Sequence, residues 1–64
     1  MITLTRLNGR VLVVNAELIK MIEATPDTII TFVNGDTVVV LEPVDEVARL
    51  AVDYQRQIHG FQIV

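Results

Sequence analysis

Apolar positions along the chain come in two patterns, short β-branched runs in the first two thirds and single positions spaced three and four apart in the last third. The first forty-odd residues are short apolar runs broken by turn-forming residues. Two of the breaks are alike. Leu7-Asn8-Gly9-Arg10 precedes Val13-Val14, and Val33-Asn34-Gly35-Asp36 precedes Val39-Val40. Asn-Gly between β-branched runs is a strong short-range hairpin signal, because Asn tolerates φ > 0 and Gly adopts it freely. A two-residue type I′ turn at Asn8-Gly9 sets Leu7 against Arg10, Arg6 against Val11, Thr5 against Leu12 and Leu4 against Val13. One face then carries Ile2, Leu4, Val11 and Val13, with Arg6 and Asn15 at its margins. The other carries Thr3, Thr5, Leu7, Leu12 and Val14. The same turn at Asn34-Gly35 pairs Val33 with Asp36, Phe32 with Thr37, Thr31 with Val38 and Ile30 with Val39. A sheet with one wet face should alternate cleanly. These strands are apolar on both faces, which predicts either a barrel covered by a helix or a second face buried by another subunit.

Between the hairpins, Asn15 is placed to cap a single helical turn. Ile19–Ala24 reads as a middle strand, and Thr25-Pro26-Asp27-Thr28 as a β-turn with Pro26 pre-set at its second position. The predicted strands span about 2–7, 10–14, 19–24, 28–33 and 36–41. Pro43 ends the sheet and suits the first turn of a helix. Val44, Val47, Ala51, Tyr54 and Ile58 then recur at spacings of three and four, one helical stripe. Asp45 and Glu46 lie at its positive end, Arg49, Asp53, Arg56 and Gln57 on its polar side, and Gly60 at its stop. The expected architecture is α+β: one domain over 1–64, a curled five-stranded antiparallel sheet made of two Asn-Gly hairpins and a middle strand, a C-terminal helix over about 43–59, and an apolar tail over 60–64.

Composition adds a constraint. The 64 residues are 52% hydrophobic, yet a chain this small buries only roughly 60% of its unfolded surface. With no cysteine, neither a disulfide nor a Cys-ligated metal can help. Self-association is the expected remedy, so a homo-oligomer is predicted. Arg6 and Tyr54, with Ile58, Phe61, Ile63 and Val64 near the C-terminus, are the contact candidates. The net charge of −3 argues against a nucleic-acid partner, although Arg6 and Arg10 could seed a small basic patch. No apolar stretch approaches the 20 or so residues of a membrane span, and no signal-peptide pattern is present.

Candidate chemistry is sparse. His59 is the sole histidine, which gives no metal cluster. Asp45 and Glu46 are accounted for by the helix dipole. Serine and cysteine are absent, and the threonines fit strands and turns. No catalytic residue, cofactor or metal site is expected. The singled-out turn residues Asn8, Gly9, Pro26, Asp27, Asn34 and Gly35 have structural roles.

Three motifs in order carry a resemblance: Thr5-Arg6-Leu7-Asn8-Gly9, Asn15-Ala16-Glu17-Leu18-Ile19 and Thr25-Pro26-Asp27-Thr28. Asn34-Gly35 and Glu42-Pro43-Val44-Asp45-Glu46-Val47 extend it to about residues 1–58. In this combination the chain resembles the FlbD/SwrD family of small flagellar and swarming-motility proteins. The resemblance implies a non-enzymatic accessory that supports motor power through the stator units. It implies a cytoplasmic location, peripheral at the inner face of the flagellar motor. It carries no catalytic residues to transfer. The alternative function is a small β-module that binds nucleic acid and regulates flagellar genes. The chain departs from the family pattern at Asp36, where Lys is frequent, and in the tail that follows Gly60.

Overall fold

The computed structural model describes residues 1–24 and 26–58. Strands β1 (Ile2–Thr5) and β2 (Val11–Val14) form the first hairpin. Its register is Ile2 with Val14, Thr3 with Val13, Leu4 with Leu12 and Thr5 with Val11. The expected two-residue turn is therefore overturned, and the pairing is shifted by one residue. The Arg6 N–H donates to the Arg10 carbonyl at 2.8 Å, and the Gly9 N–H to the Arg6 carbonyl at 2.9 Å. Leu7, Asn8 and Gly9 thus make a three-residue loop, with Gly9 at φ +88°. This is the other common Asn-Gly hairpin, a turn followed by one left-handed residue. The Asn8 Oδ1 accepts the Arg10 N–H at 2.9 Å and fixes the exit from the loop.

The second hairpin repeats the device. Strands β4 (Thr28–Phe32) and β5 (Thr37–Val40) pair Thr28 with Val40, Ile30 with Val38 and Thr31 with Thr37. The Phe32 N–H donates to the Asp36 carbonyl at 2.8 Å, the Gly35 N–H donates to the Phe32 carbonyl at 2.9 Å, and Gly35 has φ +96°. The Asp36 N–H donates to the Asn34 Oδ1 at 3.0 Å. Again the register differs by one from the two-residue expectation, for the same reason.

A one-residue slip exchanges the faces of a strand. Ile2, Leu4, Leu12 and Val14 point inward, while Val11 and Val13 point out, 67% and 60% exposed. The expected grouping of Val11 and Val13 with Ile2 and Leu4 is overturned. In the second hairpin Ile30 and Val40 are buried, with Phe32 and Val38 packed beside them.

The middle strand β3 (Ile19–Ala24) pairs antiparallel with β4, and the register shifts between Ile19 and Met21. That irregularity at Lys20 lets both Ile19 and Ile22 pack on the core, which strict alternation would forbid. The single curled sheet is not what forms. There are two sheets, β1-β2 and β3-β4-β5. They touch at a corner, where Arg6 bridges to Val40 and the Leu41 N–H donates to the Thr5 carbonyl at 2.8 Å. Because the longer loop ends β1 at Thr5, little strand is left to overlap the end of β5.

Ala16–Leu18 is a single 3₁₀ turn, and the Asn15 Oδ1 accepts the Glu17 N–H at 3.0 Å as its cap. Helix α1 spans Val44–Ile58. The Pro43 carbonyl accepts the Glu46 and Val47 N–H groups at 3.0 and 3.1 Å, so Pro43 immediately precedes the helical residues. The helix lies against β1, β3 and the 3₁₀ turn. Its Val47 is buried with Ile2, Leu4, Val14, Ala16, Ile30 and Val40, and Leu50, Ala51 and Tyr54 pack at the margin. Arg49 and Asp53 form an exposed i,i+4 ion pair at 3.5 Å. Among the described residues no helix is long and apolar enough to cross a membrane.

Candidate interaction surface

The register determines which side chains share the face opposite the helix. On the first sheet the outward pairs are Thr3 with Val13 and Thr5 with Val11. On the second, Ile29 lies between Val39 and Glu23, and Thr31 lies between Thr37 and Met21. The two outward faces meet where the Thr5 carbonyl takes the Leu41 N–H. Leu41 is 56% exposed there, and Met21 is also exposed. The face is built almost wholly from β-branched and aliphatic side chains, with Glu23 its one charge among the residues named. Helix α1 packs on the inner face, so among the described residues Val11, Val13, Met21 and Leu41 remain exposed on the outward side, interleaved with threonines.

Arg6 and Arg10 close the first loop opposite one another, and both are exposed. Like charges at cross-strand positions are unfavourable, and among the described residues neither side chain has an ion-pair partner. Arg6 falls by alternation on the Ile2 and Leu4 side of its strand, and the expected sharing of that face with Val11 does not occur. It borders a shallow depression with Leu7, Asn8, Thr37, Val38 and Val39. Tyr54 is half-buried and lines a cleft with Met1, Ile2, Thr3, Leu50 and Asp53. Asn8, Gly9, Asn34 and Gly35 are exposed in their loops, and Pro26 and Asp27 are exposed between β3 and β4. The expectations for Thr25, the Ile58 side chain, His59, Gly60, Phe61, Ile63 and Val64 lie outside the described residues.

Two features escaped the sequence reading. One is an apolar cavity of about 320 Å³ between the 3₁₀ turn and the second loop, lined by Val14, Asn15, Leu18, Phe32, Val33, Asn34 and Asp36. The Val33 N–H donates to the Leu18 carbonyl at 2.8 Å and holds its walls together. The exposed aliphatics Leu18 and Val33, each beside a turn, were its only signal. The other is Glu42. Its Oε1 accepts the Thr5 N–H at 2.9 Å and its Oε2 the Thr5 hydroxyl at 2.8 Å. The carboxylate replaces a neighbouring strand at the edge of β1. Desolvation works to raise the Glu42 pKa, but the bonds from Thr5 and a backbone N–H outweigh it and hold the carboxyl below its ordinary value. No local pattern pairs residues 5 and 42.

Among the described residues no group of three or more His, Cys, Asp or Glu side chains comes together to hold a metal ion. No curated protein and no solved structure matches the chain. A sequence model of one family does match, over residues 1–59, and so takes in both hairpins, the 3₁₀ turn and the helix. The chain belongs to that family, FlbD, the flagellar and swarming motility proteins.

Proposed function

We propose that this protein is a non-enzymatic accessory of flagellar and swarming motility. It acts by binding other proteins, and it supports motor power at the stator units on the cytoplasmic side. Family membership supports the motility assignment. The observation that carries the binding role is the exposure of large apolar side chains on the outward sides of the two sheets, Val11 and Val13 on one and Met21 and Leu41 on or beside the other, which the helix does not cover. Exposed apolar surface marks interaction sites where it clusters.

The test is a chromosomal deletion with torque measured on tethered cells, beside a strain carrying M21K and L41K. Both positions are exposed, so the variant protein should accumulate normally. Reduced torque in both strains is expected. Normal torque in the deletion strain refutes the motor reading, and full rescue by M21K/L41K refutes the face. The juxtaposed Arg6 and Arg10 favour one other reading, nucleic-acid binding. Tight, salt-sensitive retention of RNA or DNA in a low-salt filter assay would put that reading in its place.

A further inference from the structure

A strand at a sheet edge presents unpaired N–H and C=O groups to any other strand, and proteins usually blunt such edges with charge, bulges or cover. Three edges here are treated in that way. β3 carries Lys20 and Glu23 and is irregular at Lys20. β1 is closed by Leu41 and by the Glu42 carboxylate. β5 meets β1 through the Arg6–Val40 bridge. The outer edge of β2 has no such protection. Its sequence is Val11-Leu12-Val13-Val14, without charge, proline or bulge.

The hydrogen-bond phase identifies the free groups. Arg6 and Arg10 are a bonded pair, so alternation makes Thr5–Val11 and Thr3–Val13 the non-bonded pairs. Thr5 confirms the phase, because its N–H and carbonyl both turn away from β2, to Glu42 and Leu41. Val11 and Val13 must therefore aim their N–H and C=O groups outward, where no described residue meets them. Their side chains are more than half exposed beside those groups.

We propose that this edge pairs with the same edge of a second copy, antiparallel and about a two-fold axis through Leu12. Val11 of each copy then faces Val13 of the other, and each such pair exchanges both of its N–H···O bonds. Two strands of opposite direction suit a self-complementary, closed dimer. Charge selects the same arrangement. Antiparallel pairing carries Arg10 of one copy to the end of the strand from which the other copy continues through Asn15 to the exposed Glu17. That brings an acidic residue toward Arg10 at each end of the paired strands. Parallel pairing would instead set Arg10 beside Arg10. The dimer also brings the valines of both copies side by side on the outward face and so enlarges it. The inference does not depend on the role in motility.

The experiment uses the full chain at about 100 µM, where a complex of micromolar Kd is populated. Sedimentation equilibrium should return twice the chain mass. Hydrogen exchange at the Val11 and Val13 amides should slow by at least about tenfold between dilute and concentrated samples. V11K/V13K places like charges across the axis and should return the single-chain mass with an unchanged circular-dichroism spectrum. V11K/V13E puts each introduced cation opposite an introduced anion, and should restore the doubled mass only in this register. A monomeric wild type overturns the proposal. So does a monomer whose Val11 and Val13 amides are nonetheless slow, because a segment of the same chain would then occupy the edge. A dimer indifferent to V11K/V13K, or lost equally in V11K/V13E, also overturns it.

Discussion

Gly9 is where the hairpin geometry can be tested most directly. It holds φ +88°, and a Cβ added there would meet nothing within 4 Å. Any penalty for substitution therefore comes from backbone conformation, with no collision to add to it. Holding an ordinary L-residue in the left-handed region costs about 1–2 kcal/mol. Replacing glycine also removes freedom from the unfolded chain, which returns about 0.4–1 kcal/mol. Gly9→Ala should then cost about 0.5–1 kcal/mol net. Gly9→Val, stiffer through β-branching, should cost about 1–2 kcal/mol. Gly9→Asn should cost a few tenths at most, since Asn visits this region readily. At this chain size about 1 kcal/mol lowers Tm by roughly 4–8 °C. Thermal unfolding followed by circular dichroism, at one fixed protein concentration, resolves differences of that size. The ordering Asn, Ala, Val is the signature of a conformational cost. An unchanged midpoint for Gly9→Val, or equal costs for all three, would refute the left-handed assignment. Gly35, at φ +96° and with equally open surroundings, should repeat the series.

Other outcomes follow from packing and charge. Leu4 is fully buried at the centre of the core, so Leu4→Ala should lose about 2–5 kcal/mol, read as a fall in the urea midpoint. Arg49→Ala removes only an exposed ion pair and should shift stability by less than about 0.5 kcal/mol; a larger loss would show a role beyond that pair. Glu42 gives the pH dependence. Its folded pKa lies below the ordinary 4.5, so its stabilisation is present above about pH 5 and fades as pH falls through the folded pKa. Glu42→Gln keeps the shape but loses the charge, and should cost about 0.5–1 kcal/mol near pH 7 and less near pH 3, where the unfolded carboxyl is already protonated. Equal destabilisation at both pH values would contradict the charged-acceptor role.

Residues close in sequence determined most of the secondary structure. Asn8-Gly9 and Asn34-Gly35 announce the loops, Asn15 its cap, and the spacing from Val44 to Tyr54 the buried stripe of α1, because these signals depend only on local conformation and period. Register was not local. Asn-Gly suits a two-residue and a three-residue loop alike. Val11-Leu12-Val13-Val14 is apolar at every position, so no polar side chain reports which face is inward. Only packing against Val47 and Ile30 decides that Leu12 and Val14 turn in and that Val11 and Val13 turn out. The split into two sheets, the clasp of Glu42 on Thr5 and the free edge of β2 all descend from that one-residue choice. Each joins residues far apart in the chain, and a contact of that kind leaves no periodic trace in the sequence that makes it.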